Sequence, residues 1–246
     1  MILRIARHEW RRLSSGLALW LLLAFTQLVI AWLTFAQLEA FADVAPQLKA
    51  TQAALGATDL VVMPTFNSLL LILLLVTPLL AMGSIAGEAH AARLAVWLAS
   101  PLSSAHIAAG KILGLWLALL PLIASASVTL GALGMGIALD PARFVLAVGA
   151  MLLCALWLAS LSVWLSSLFD HPAAALAASY GVLLFLWLLD SLSSGDAPWR
   201  PWALLPHVES MLRGLLRSQD VVYFITTAAA AWLLTVYRLD RRRGVL

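Results

Sequence analysis

The sequence predicts an all-α integral membrane protein, one domain over residues 1–246 with six transmembrane helices. Three observations carry this. The chain is 63% hydrophobic and only 11% charged, where a soluble domain is nearer half apolar and a quarter charged. Its apolar residues gather in six stretches, Gly16–Ala36, Phe66–Ala86, Ile112–Gly134, Phe144–Leu168, Ala173–Leu189 and Val221–Tyr237, each close to the roughly 20 residues that a helix needs to cross a bilayer. Alternating strand patterns are absent, and a backbone in lipid that satisfies its own hydrogen bonds without a barrel is helical.

The first element, residues 1–15, is a basic amphipathic helix. Leu3, Ala6, Trp10 and Leu13 share a stripe, and Arg4, Arg7, Arg11 and Arg12 take the rest. A helix of this kind lies in the membrane interface. The apolar run that follows is too long for a signal-peptide core, so Gly16–Ala36 is expected to be an uncleaved first span. Residues 37–65 read as a short, weakly helical loop, and residues 135–143 as a tight turn around Asp140-Pro141.

Between spans two and three lies a polar-flecked segment, residues 87–110. Leu94, Trp97 and Leu98 recur at helical spacing. Ser100-Pro101 ends that helix, because the residue before proline is pushed out of the α region, and Ser103 or Ser104 caps the next. The outer segment, residues 190–220, holds Pro198, Pro201 and Pro206 with Trp199 and Trp202, and its half from Val208 to Arg217 is amphipathic. It is expected at the interface, its tryptophans as belt residues. Arg213 and Asp220 are positioned to pair across the start of span six.

Six crossings put both termini on one side. That side holds Arg4, Arg7, Arg11, Arg12, Arg93, Lys111, Arg238, Arg241, Arg242 and Arg243, ten cations against five (Lys49, Arg143, Arg200, Arg213, Arg217) on the other. The positive-inside rule then sets both termini in the cytoplasm.

Chemistry within the chain is poorly supported. Mid-membrane charges mark ion coupling and proton relays, and no span carries one at its centre; this disfavours an ion-coupled transporter. Gly110-Lys111 is not a P-loop, since Ala105 and Ile112 occupy the positions that need Gly and Ser/Thr. His8-Glu9 is not a zinc motif, since Arg12 stands where the second His belongs. His90, His106, His171 and His207 are scattered at span ends as interfacial polar residues. Cys154, the one cysteine, excludes an intrachain disulfide and reads as a small buried hydrophobe. Small residues are the remaining signal: Gly83-x-x-x-Gly87, Gly110-x-x-x-Gly114, and the alanines that open span five. Such faces allow close helix packing. Ser125, Ser127, Thr129, Thr26 and Gln27 offer hydrogen bonds between helices or along a path.

Glu88, Leu98, Pro101, Leu102, Ser103, Ile107, Gly110 and Lys111 stand at the spacing of the coupling region of ABC-2 type transporter permeases, which this segment resembles. Ala92 and Arg93 stand where that family usually has Gly-Thr, and Ala95 where an acid is common. His207, Ser210, Met211, Arg213-Gly214, Asp220 and Tyr223-Phe224 are similar to the end of the gliding-motility-type subgroup.

The resemblance implies the permease subunit of an ATP-driven exporter. It would pair with a second permease, the same or related, and bind two ABC ATPase subunits. ATP and Mg would be held by the ATPases, with no cofactor and no catalysis in this chain. Residues 87–110 would be the cytoplasmic coupling segment, with Glu88, Arg93, Trp97, Leu98, Pro101, Leu102, Ser103 and Lys111 serving the ATPase contact. Ala174, Ala177, Ala178 and Gly181 would lie at the subunit seam. The outer segment, with Trp199, Trp202, His207, Arg213, Gly214 and Asp220, would form a re-entrant or interfacial cap over the exit, where a periplasmic partner could touch. Membrane lipid is an expected partner and nucleic acid is not. The location implied is the bacterial inner membrane. The alternative is a non-transporting anchor or assembly subunit; an intramembrane enzyme lacks paired catalytic groups.

The charge asymmetry makes a prediction. In a Cys154→Ala background, Lys49→Cys should react with an impermeant thiol reagent from the periplasmic face. Reaction from the cytoplasm alone would overturn the orientation.

Overall fold

The computed structural model describes residues 1–50, 56–189 and 202–244, and among these the chain is helical without a strand. The helices are α1 (Ile2–Ser14), α2 (Leu17–Ala50), α3 (Met63–Ala81), α4 (Ala86–His90), α5 (Leu94–Ala99), α6 (Ser104–Ala132), α7 (Pro141–Leu168), α8 (Pro172–Leu188), α9 (Leu204–Leu212) and α10 (Ser218–Arg243). A π-helical turn, Thr58–Val62, leads into α3, and a 3-10 turn, Leu133–Met135, follows α6.

Local chemistry sets several boundaries. Ser103 caps α6, its side chain accepting from His106 N at 3.3 Å. The Asp140 carboxylate caps α7, accepting from Ala142 N at 3.0 Å and Arg143 N at 3.2 Å. Pro141 and Pro172 open α7 and α8, where a missing N–H costs nothing. One expectation fails: residues 37–50 continue α2 instead of forming a loop. Gln37-Leu38-Glu39-Ala40 are good helix formers, and no proline intervenes before Pro46. Thr65 Oγ1 donates to Gln37 Oε1 at 3.2 Å, fixing this extension to the start of α3.

Among the described residues, five helical stretches are long and apolar enough to cross a membrane: Leu17–Gln47, Thr58–His90, Ser104–Met135, Pro141–Leu168 and Ser218–Arg243. The sixth apolar helix, α8, has 17 residues. At 1.5 Å per residue it is about 26 Å long, a little under the roughly 30 Å hydrocarbon core. The second and third of the long stretches are the centre of the bundle, with 67% and 61% of their most apolar windows buried. The first and last are peripheral, at 22% each. α2 accordingly turns Trp20, Phe25, Leu28, Trp32 and Phe35 outward.

The N-terminal helix packs lengthwise on α6. A Cβ on Gly110 would lie 2.5 Å from Ile5 Cβ, and one on Gly114 would overlap Glu9 Cβ. The Gly110-x-x-x-Gly114 face is therefore an intrachain seat for α1. The buried stripe of α1 is Ile5, Ala6 and Glu9, with Leu13 packed against the core, while Leu3 is 77% exposed. The expected stripe thus holds at Ala6, Trp10 and Leu13 and fails at Leu3, whose place Ile5 takes, and an acid lies on the face that packs.

Polar contacts gather at the two ends. At one, Arg12 Nη1 donates to the Gly83 carbonyl at 2.5 Å, Arg243 Nη2 to the Leu102 carbonyl at 2.7 Å and Arg242 Nη2 to the Ser167 carbonyl at 3.1 Å. α1, α4, α5, the start of α6 and the end of α10 meet there. At the other, Arg143 bridges Asp59 at 2.8 Å and Asp140 at 3.3 Å, and Asp140 N donates to Thr58 Oγ1 at 3.0 Å.

The α1 seat is testable. Gly114→Ala should destabilise the chain by about 1–3 kcal/mol through overpacking, read as a lowered thermal midpoint in detergent. Gly149→Ala, where a Cβ meets nothing within 4 Å, should leave the midpoint unchanged or slightly raised.

Candidate functional site

The site begins with a lysine sealed from solvent. Lys111 lies two turns into α6 and is 1% exposed; it had been expected at the flank of span three. Its Nζ is 2.5 Å from Glu9 Oε1, 2.8 Å from Glu88 Oε2 and 3.0 Å from the Ser84 carbonyl, and it stands 5.6 Å over the Trp97 ring. Glu9 Oε2 is also 2.8 Å from Arg12 Nη2. Two carboxylates thus face two cations in a cluster whose lysine and glutamates are nearly solvent-free. Burying such charges is costly; Lys111 and Glu9 each meet more than one polar partner, while the Glu88 carboxylate has Lys111 alone among the described residues. It ties α1, α4 and α6 together. The turn before α4 is fixed to α7 as well, through Ile85 N and Ala86 N, which donate to Ser166 Oγ at 3.3 and 3.0 Å.

The segment on this anchor has two short helices. α4 is closed by Arg93 N donating to the Glu88 carbonyl at 2.8 Å, with Ala92 at φ +56°. That left-handed conformation costs a residue with a Cβ about 1–2 kcal/mol, and it falls where the ABC-2 pattern usually has Gly. In α5, Leu94 and Leu98 point into the core while Arg93, Ala95, Val96 and Ala99 point to solvent. Trp97 is half-buried, edge-on to His8 at 5.8 Å. Pro101 and Ser103 are exposed, and Leu102 is partly buried.

Three of the residues expected at the contact are turned inward. Glu88 and Lys111 are sealed in the charge cluster, and Leu98 is a core residue; none faces outward as the segment stands. Arg93, part of Trp97, Pro101 and Ser103 remain on the surface. Val96, 73% exposed, is the large apolar side chain that α5 presents, and it was missed. Its signal was available: with Leu94 and Leu98 one turn apart facing inward, position 96 faces out. Glu9 and Arg12 were missed too, because the acid's place on the packing stripe of α1 shows only once the stripe is assigned.

On α8, Ala174, Ala177 and Gly181 are exposed and Ala178 is half-buried, in a stripe that continues through Leu184, Phe185 and Leu188. The outer segment is described from Trp202; Trp199 and residues 190–201 lie outside the described residues. α9 ends at Leu212, short of the amphipathic run expected to Arg217, and Gly214 turns the chain with φ +83° against Arg143. Asp220 pairs with His207 Nδ1 at 2.7 Å and accepts from Ser210 Oγ. Arg213, expected to reach Asp220, instead pairs with Glu209 at 3.2 Å on the surface. His207 stacks on Tyr223 at 4.2 Å, and Trp202 is 62% exposed, its carbonyl accepting from Tyr223 OH. Among the described residues no group of three or more His, Cys, Asp or Glu is placed to hold a metal.

These features define a polytopic helical membrane protein, with a buried charge cluster at one end holding a short, solvent-facing helix. The chain belongs to the ABC-2 transporter family: it matches the family described as ABC-2 family transporter protein over residues 3–196. The match runs from α1 through α8 and takes in the charge cluster and α5; α9, α10 and the His207–Asp220 pair lie beyond it. No curated protein matches the sequence significantly. The family and the apolar helices fit the permease of an ABC transporter.

Removing one partner of a buried ion cluster exposes its worth. Lys111→Met should destabilise the chain by about 3–5 kcal/mol, measured by thermal unfolding. The double variant Glu88→Gln/Lys111→Met, which removes one charge of each sign and keeps the Glu9–Arg12 pair, should recover most of that loss.

Proposed function

We propose that this chain is the transmembrane subunit of an ATP-driven exporter, paired with a second permease and driven by two separate ATPase chains. The observation that carries the reading is α5. It is a short helix held by its inward face, with Arg93 at its start and Val96 turned to solvent, and it follows α4, which shares a polar anchor with α1 and α6. A push on α5 passes through the Arg93–Glu88 link and α4 to the charge cluster on α6, the helix that runs through the centre of the bundle. ATP binding and hydrolysis on the partners would move this segment and rock the spans between inward- and outward-open states.

In this reading α8 is a sixth crossing, both termini are cytoplasmic, and the membrane is the bacterial inner membrane. The gathering of α1, α5 and the α10 arginines at one end is in keeping with that orientation, as is the ten-to-five distribution of Lys and Arg. The exposed small-residue stripe of α8, with Ala174, Ala177 and Gly181, serves the second permease. The His207, Ser210, Asp220 and Tyr223 unit supports the gliding-motility-type subgroup, and in this reading residues 202–220 are part of a cap over the exit, open to a periplasmic partner. Nucleotide and Mg belong to the ATPases, and the chain alone hydrolyses no ATP.

The test is retention of a candidate ABC ATPase co-expressed with this chain. Arg93→Glu with Val96→Asp changes only solvent-facing side chains, so the permease should elute and unfold as the wild type does, while ATPase affinity falls about tenfold or more, as for loss of an interface anchor. Undiminished ATPase retention and stimulation would remove α5 from the contact. ATP turnover by the permease purified free of partners would refute the division of labour, and failure of any ATPase to associate would favour the anchor reading.

A further inference from the structure

A cleft of about 700 Å³ opens between α5 and the end of α10, walled by Leu94 and Leu98 on one side and by Arg238, Arg241 and Arg242 on the other, with Asp170 at its edge. Arg242 is committed to the fold: it holds Asp170 at 2.7 Å and the Ser167 carbonyl at 3.1 Å. The other two arginines are not so bound. Arg238 Nε is buried without a hydrogen-bond acceptor among the described residues, an arrangement that is costly unless a ligand completes it. Arg241 lies with its guanidinium 5.0 Å over the Tyr237 ring, exposed to solvent. Three cations against one carboxylate leave the cleft with a net positive charge.

The surface leading to the cleft is apolar. Leu233, Leu234 and Tyr237 are all about half exposed on α10, and Arg238 and Arg241 follow Leu234 and Tyr237 at one-turn spacing. A hydrocarbon stripe, an aromatic residue of the interfacial type and a pair of arginines thus succeed one another along one helix face. The cleft volume is in the range of small-molecule sites. We infer that it holds the headgroup of an anionic phospholipid of the phosphatidylglycerol type. Its phosphate meets Arg238 and Arg241, its glycerol lies along Ala92 and Ala95, and its acyl chains run along Leu233 and Leu234. A soluble acidic peptide would match the arginines but not the stripe. This inference needs the chain to span a bilayer and does not depend on an ATPase. It makes the lipid a wedge between α5 and α10, so anionic lipid would set the position of the segment that α5 belongs to.

The test uses the purified full chain in a neutral detergent, titrated with phosphatidylglycerol, with phosphatidylcholine, and with inorganic phosphate or glycerol 3-phosphate. Binding is read by native mass spectrometry and by the thermal midpoint. Phosphatidylglycerol should be retained in preference to phosphatidylcholine and should raise the midpoint further. Arg238→Gln with Arg241→Gln should weaken that preference about tenfold or more, while Arg4→Gln with Arg7→Gln, which removes two exposed charges from α1 at the same end, should leave it. Asp170→Asn keeps both arginines and should strengthen it. Equal retention of the two lipids, an unchanged preference in the α10 variant, equal loss in the α1 variant or a weaker preference in Asp170→Asn would each overturn the site. A full response to inorganic phosphate or glycerol 3-phosphate alone would overturn the lipid as occupant. Loss of ATPase binding in the α10 variant, without any lipid preference in the wild type, would give the cleft to the ATPase instead.

Discussion

A charged ammonium in a protein interior must be neutralised where it stands, and much of one end of this molecule follows from that requirement at Lys111. Its neutralisers come from different parts of the chain: Glu9 from α1, and Glu88 with the Ser84 carbonyl from the turn and helix that precede α5. For Glu9 to reach, α1 must lie against α6, and it comes close enough only because residues 110 and 114 lack side chains. For Glu88 to reach, α4 must sit where its carbonyl also receives Arg93 N, which commits Ala92 to a left-handed turn. The cluster thus specifies a geometry as much as it contributes stability, in keeping with the view that buried ion pairs are weak sources of net stability but sensitive to the loss of a partner.

The opposite end is organised on a looser principle. Arg143 is 42% exposed and pairs with Asp59 and Asp140, a contact of the kind worth about 0–1 kcal/mol. The tighter unit there is aromatic: Trp157, Tyr223 and Phe224 lie with ring centroids 5.3–6.3 Å apart, and His207 stacks on Tyr223. One end is therefore locked by fully desolvated charge, and the other by ring packing with an exposed ionic rim.

Much of this was legible because it is local. Ser103, Asp140, Pro141 and Pro172 act within a few residues of themselves, so they mark helix starts in the sequence as they do in space. What depends on a distant surface was not legible. In α1 the stripe Ala6, Trp10 and Leu13 was legible and packs as read, but Ile5 in place of Leu3 was not, because Glu9 counts against that face until Lys111 is known to lie opposite. In α5 the Leu94, Trp97 and Leu98 stripe was visible, but a six-residue helix does not disclose whether its apolar face meets its own core or a partner. For Asp220, seven residues from Arg213 suggested a pair. The Gly214 turn instead folds the chain back so that His207 and Ser210, one helical turn apart on α9, meet the first turn of α10, while Arg213 falls past the helix end.

The long third helix of the bundle, α6, has a mechanical property set by Pro121 in its interior. Without an N–H, that residue leaves the Leu117 carbonyl without its intrahelical donor, so the rod has least bending stiffness there. Below this point α6 is clamped by α1 and Lys111; above it, Gln27 Nε2 donates to Thr129 Oγ1 at 2.6 Å. The two clamps are about 27 Å apart along the axis, with the compliant turn roughly midway. Torque applied at the charged end would be spent as an angle between the halves of α6, so the far half would tilt and carry α2 with it, without any sliding of the helix along its own length.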